Sequence, residues 1–101
     1  MALYEISAEA QTDLFAIWQH IAEDSVDLAN RIDGEFHELF ESLGRMPGQG
    51  HARKDITRRP VLFFPLYSYF VIYQPSVTPI RILAVFRGRR DVGRLLSDRL
   101  R

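Results

Sequence analysis

Residues 61–87 read VLFFPLYSYFVIYQPSVTPIRILAVFR, and the fold turns on how this stretch divides. β-Branched and aromatic residues dominate the runs Val61–Phe64, Tyr69–Gln74 and Ile80–Arg87, and such side chains suit a pleated, packed surface. Pro65 to Ser68 and Pro75 to Pro79 read as turns, because proline has no N–H to give to a central ladder. The connections are too short for a parallel crossover, which needs about a dozen residues, so the strands are expected as an antiparallel meander. In the last of them Ile80, Ile82, Ala84 and Phe86 alternate with Arg81, Leu83, Val85 and Arg87. Strict alternation predicts one wholly apolar face and one that is apolar only in its middle.

Working outward, the apolar face needs cover, and the preceding sequence supplies it. Leu3 to Ile6 reads as a short first strand, and Ser7 as the N-cap of a helix, with Glu9 suited to the positive helix end. Ala10, Leu14, Ile17, Trp18 and Ile21 recur at helical spacing, with Phe15 and Ala22 widening the stripe, and the helix should end near Asp24. Ser25 or Asp27 starts a second helix whose apolar positions are Leu28, Ile32, Phe36, Leu39, Phe40 and Leu43. Gly44 stands where a helix stop is expected, with Pro47 beyond it. Gly34, mid-helix, should cost about 1 kcal/mol relative to alanine, and close approach of the first helix is the expected reason for it. The short link folds the two helices into an antiparallel hairpin. Its inner face and the sheet should bury Leu14, Ile17, Ile21, Ile32, Phe36, Phe40, Ile72, Ile82 and Phe86.

Residues 45–60, RMPGQGHARKDITRRP, carry no apolar period and read as a basic loop. After the last strand, Asp91 can cap a short helix with Val92, Leu95, Leu96 and Leu100 on its buried side. The order is β-α-α-β-β-β-α, an α+β architecture in which a helical hairpin packs on an antiparallel sheet. At 101 residues the chain is expected to be one domain, 1–101.

Composition narrows the function. The 47% hydrophobic and 26% charged residues are ordinary globular values, and the absence of cysteine excludes disulfides and Cys-ligated metal. No signal peptide or bilayer-length apolar run is evident, so a cytoplasmic protein without membrane contact is expected. The net charge of zero hides a split. Residues 1–44 hold ten acidic groups and one basic, a balance of −9, whereas residues 45–101 hold twelve basic and three acidic, a balance of +9. Such a bipolar surface suits an acidic partner, although pairing within the monomer could absorb part of it.

No catalytic motif stands out. His20, His37 and His51 lack metal-ligand spacing and read as solvent-exposed, so neither metal nor cofactor is expected. Gly48 and Gly50 do not open a helix after a strand, so they are no phosphate loop. The hairpin carboxylates read as a solvated face. Arg53 beside Asp55, and Arg90 beside Asp91, can be local ion pairs, and Tyr69, Phe70 and Tyr73 read as sheet core. Arg87 and Arg89 have less obvious local partners.

One longer constellation is informative. It joins Pro47, Gly50, Arg53, Asp55, Pro60, Val61 and Phe64-Pro65 with Tyr69, Ile72, Tyr73 and Pro75, then with Ile80, Ile82, Val85, Gly88, Arg90, Asp91, Leu95 and Leu96. An R-x-D loop, a Y-x-x-x-Y-x-P strand and an I-x-I-x-x-V-x-x-G-x-R-D strand end follow one another, after an opening S-A-E-A-Q-x-D-L-x-x-I-W-x-x-I. This pattern resembles the ParE branch of the RelE/ParE toxin superfamily, also described as plasmid stabilisation proteins, and covers nearly the whole chain. Two departures stand out: Arg87 takes the place of a common histidine before the glycine, and no His or Tyr follows Tyr73.

The resemblance implies the toxin of a type II toxin–antitoxin system that inhibits DNA gyrase by protein contact, without catalytic residues. It implies a ParD-like antitoxin as partner, with DNA met only through the antitoxin complex. Target contact is expected from Arg87, Arg89, Arg90 and Arg94, in a C-terminal segment whose arginines point outward. Antitoxin contact is expected from Arg53, Arg58, Arg81 and Trp18. The alternative is a RelE-like ribosome-dependent mRNA endonuclease, which needs a general base that arginine cannot supply at neutral pH. A third reading is an inactive member that only binds its antitoxin.

Overall fold

A computed structural model describes residues 2–88 and 92–100. Strand β1 (Tyr4–Ile6) leads into helices α1 (Ala8–Ala22) and α2 (Val26–Arg45). A single 3-10 turn at Pro47–Gln49 and the basic loop then lead to β2 (Leu62–Leu66), β3 (Tyr69–Gln74), β4 (Ile80–Arg87) and helix α3 (Val92–Arg99). The sheet order is β1-β4-β3-β2; β2, β3 and β4 pair as the expected antiparallel meander, while β1 joins β4 in parallel. The sheet is therefore mixed, with β1 and β2 at its edges.

The helix starts follow the sequence. The Ser7 hydroxyl accepts from the Ala10 N–H at 3.1 Å, and the Ser25 hydroxyl accepts from the Leu28 N–H at 3.1 Å. Ser7 is itself buried, and its hydroxyl donates to the Leu83 carbonyl while its N–H donates to that of Ile82. One residue thus closes β1 onto β4 and opens α1.

The hairpin and the sheet enclose one core built from Leu14, Phe36, Phe40, Leu43, Val71, Tyr73, Ile80, Ile82 and Val85. A second core lies on the opposite face, where α3 brings Val92 and Leu96 onto Val61, Phe63, Ile72, Leu83, Ala84 and Phe86. Both sheet faces are consequently covered. Of the expected core, Leu14, Phe36, Phe40, Ile72, Ile82 and Phe86 are buried, whereas Ile17, Ile21 and Ile32 are half-buried.

Several expectations are corrected. The run of β2 passes through Pro65, which pairs with Phe70, so the turn is only Tyr67–Ser68. Proline is tolerated there because β2 is an edge strand. Strict alternation along β4 fails at Leu83, because Ile72 pairs with Ala84 but Tyr73 pairs with Ile82. The extra residue is a β-bulge, and it transfers every later side chain to the other face. Ile80 and Ile82 therefore face the hairpin, whereas Ala84 and Phe86 face α3. Helix α2 continues past Gly44, where a Cβ would collide with the backbone carbonyl and Cβ of Leu3. Gly34, for which close approach was expected, has nothing within 4 Å of its would-be Cβ. Phe15 and Leu28 do not join the core; Phe15 is 59% exposed. The N-cap expected of Asp91 lies outside the described residues.

Candidate functional site

The bulge decides where the end of β4 points. Arg87 lies opposite Tyr69 in the ladder and shares the face of Val85, toward α1. It is exposed at the mouth of a cleft of about 310 Å³ between α1, the end of β4 and α3, lined also by His20, Tyr69, Leu95, Asp13 and Arg99. From the sequence, His20 is expected to be solvent-exposed. It is exposed, but the last turn of α1 brings it to the Arg87 cleft.

Arg94 is exposed on α3, opposite the buried Val92 and Leu96 side, and it has interactions within the molecule. Arg89 and Arg90 lie outside the described residues, as does the expected Arg90–Asp91 pair. Arg99, expected to point outward, turns in. Its guanidinium donates to both carboxylate oxygens of Asp13, at 2.7 and 3.1 Å, and to the Leu83 carbonyl at 2.9 Å. It also sits over the Phe86 ring, 5.6 Å from the centroid. Asp13 in turn accepts from the Val85 N–H at 3.0 Å.

The residues expected to meet an antitoxin do not form one surface. Trp18 lies on the hairpin, where its indole N–H donates to the Asn30 Oδ1 at 2.9 Å and ties α1 to α2. Arg53 and Arg58 belong to the basic loop, where Arg53 lies beside the α3 face. Arg53 forms the expected local pair with Asp55 through two bonds of 2.9 and 3.0 Å, and this pairing raises its pKa above the usual value. Arg58 is exposed, beside Lys54. Arg81 is exposed at the start of β4, with Glu5 and Gln74 as its ladder neighbours. A second cleft, of about 360 Å³, opens on the α3 face over Phe63, Phe70 and Phe86, with Arg53, Asp55 and Ile56 at its rim.

His37 is not simply exposed, since it bonds the Tyr4 hydroxyl at 2.9 Å through Nδ1 and packs edge-on against Phe40. Among the described residues no group of three or more His, Asp or Glu side chains is placed to hold a metal ion. No described helix is long and apolar enough to cross a membrane. The arrangement offers cations around apolar clefts, which suits the recognition of a protein surface or an anion.

A family described as "ParE toxin of type II toxin-antitoxin system, parDE" matches residues 4–92. Among solved structures, a chain from the "Chromosomal ParDE TA system from P. aeruginosa" is similar with a TM-score of 0.70 and 20% identity. The match covers 85% of this chain and 95% of that one. At this identity the likeness speaks for the fold alone. No curated protein sequence matches.

Proposed function

The chain belongs to the ParE toxin family of type II toxin–antitoxin systems, and we propose that it inhibits DNA gyrase by protein contact and is neutralised by a ParD-like antitoxin. The observation that carries the reading is Arg87: an exposed cation which the β4 bulge turns toward α1, at the mouth of an open cleft. Arg94 adds positive charge from α3, and the sequence places Arg89 and Arg90 between the two. Cations around an apolar cleft suit docking onto a folded partner or a protein–DNA complex. Cleavage of RNA would instead need a general base held against the 2′-hydroxyl. His20 is the imidazole lining this cleft, so it is the residue that separates the two readings.

Induction without antitoxin tests the proposal in cells. The wild type should raise DNA-damage signalling and leave messages intact. Charge reversal at Arg87 and Arg89 should abolish toxicity, and at the exposed Arg87 it should change the melting temperature little, since an exposed charge contributes about 0–1 kcal/mol. His20→Ala should stay toxic. Cut messages from the wild type, lost in His20→Ala, would establish the endonuclease instead.

A further inference from the structure

The family match ends at Val92, so Arg99 and nearly all of α3 lie beyond it. Two sets of contacts fasten α3 to the rest of the fold. Its apolar side rests on the sheet through Val92 and Leu96. Its far end is held by the Asp13–Arg99 pair, with both side chains mostly withdrawn from solvent at 17% and 14% exposure. The pair also occupies the edge of β4 that β1 leaves uncovered. Pairing with β1 stops at Ile82, and beyond it Asp13 takes the Val85 N–H while Arg99, with Ser7, takes the Leu83 carbonyl. Leu83 is the bulged residue.

We infer that Asp13 and Arg99 are positioning residues: together they lock α3 to α1 and to the β4 bulge, and so fix Arg87 and Arg94 relative to one another. Asp13 and Arg99 both line the Arg87 cleft, where they hold its walls in place and do not themselves bond the target. The two-bond geometry matters, since a planar guanidinium facing a carboxylate sets orientation as well as distance. Arg99 has a third bond to the bulge carbonyl, so α3, α1 and the strand that carries Arg87 meet at one guanidinium. A part-buried pair of this kind is costly to break from one side only, because the remaining charge loses its partner. The apolar contacts of Val92, Leu95, Leu96 and Leu100 hold α3 on the sheet but, unlike the two-bond pair, are not directional.

The inference rests on the proposed gyrase target only for its potency readout. Arg99→Gln, Asp13→Asn and the double variant are compared with wild type by amide hydrogen exchange of α3 and by inhibition of purified gyrase. In each single variant the amides of Leu95 to Arg99 should exchange about tenfold faster, while those of Phe36 and Phe40 in α2 stay unchanged. Potency should fall in each single variant, and the double variant should be no worse than the worse single, as coupled partners require. Arg99→Lys keeps the cation and should fall between Arg99→Gln and wild type. Wild-type α3 exchange in Arg99→Gln would overturn the lock. Potency losses that multiply in the double variant would mean that Arg99 meets the target directly, and would overturn the positioning role. If wild type itself leaves gyrase untouched, the target reading fails, while the exchange measurement still decides the lock.

Discussion

Single residues divide into those whose partners are close in sequence and those whose partners are distant. Ser7, Ser25 and the Arg53–Asp55 pair were legible because each bonds within three positions. The inward turn of Arg99 was not, because Asp13 lies 86 positions away. Tyr73 belongs to the same class. Its aromatic type marked it as sheet core, but nothing local revealed that its hydroxyl donates to the Pro47 carbonyl at 2.6 Å and accepts from the Gly50 N–H at 2.9 Å. It thereby pins the start of the basic loop against the sheet. Burial raises its pKa above the ordinary phenol value, and the Gly50 bond lowers it in part. Because the folded pKa is the higher one, this contribution to stability is complete below about pH 10 and is lost as pH rises through the folded value. Tyr73→Phe should cost about 1–3 kcal/mol at neutral pH, since the Gly50 N–H is left without its acceptor. It should also flatten the alkaline limb of the stability curve. Urea unfolding at neutral pH and across pH 9 to 11 checks both.

At the scale of elements, type and order were legible because the signals are strong: β-branched and aromatic runs in β2, β3 and β4, and helical spacing in α1 and α2. Irregularities were not. The bulge at Leu83 leaves no mark in a run where every residue from Ile82 to Phe86 is apolar, since either face would accept them. That omission hid the direction of Arg87. Pro65 was misleading for a related reason, as its tolerance depends on β2 being an edge strand, which only the sheet order reveals. The two α2 glycines make the point testable, because the sequence reading and the structure assign them opposite roles. Gly34 has open space around its would-be Cβ, so Gly34→Ala should gain about 1 kcal/mol from helix propensity alone. Gly44 abuts Leu3, so Gly44→Ala must push β1 aside and should lose about 1–3 kcal/mol despite the better propensity. Thermal unfolding of the two variants reads the difference in sign directly.

For the whole molecule, the charge split survives folding. Of the ion pairs formed between described residues, Asp13–Arg99 joins the acidic and basic halves across the fold, and Glu41–Arg45 joins them within one helix. Arg53–Asp55 stays within the basic half. Arg58, Arg81 and Arg87 remain exposed, as do Glu5, Glu9 and Asp24 on the acidic side. An acidic antitoxin segment should therefore be steered toward the basic half, and its association rate should fall steeply as salt rises, because such steering is screened beyond roughly 10 Å at 0.1 M. Stopped-flow association across a salt series measures this. A flat dependence would point to the apolar Phe15 and Trp18 side of the hairpin as the recognition surface.

Under the proposed function the chain acts on gyrase by contact and cuts no message. The most direct measurement is a titration of purified chain into a gyrase supercoiling reaction that contains relaxed plasmid and ATP but no ribosomes or RNA. Dose-dependent loss of supercoiling, with the Arg87 and Arg89 charge-reversal variant inactive and His20→Ala as potent as wild type, is the predicted result. Undiminished supercoiling at toxin in large excess over gyrase would contradict it.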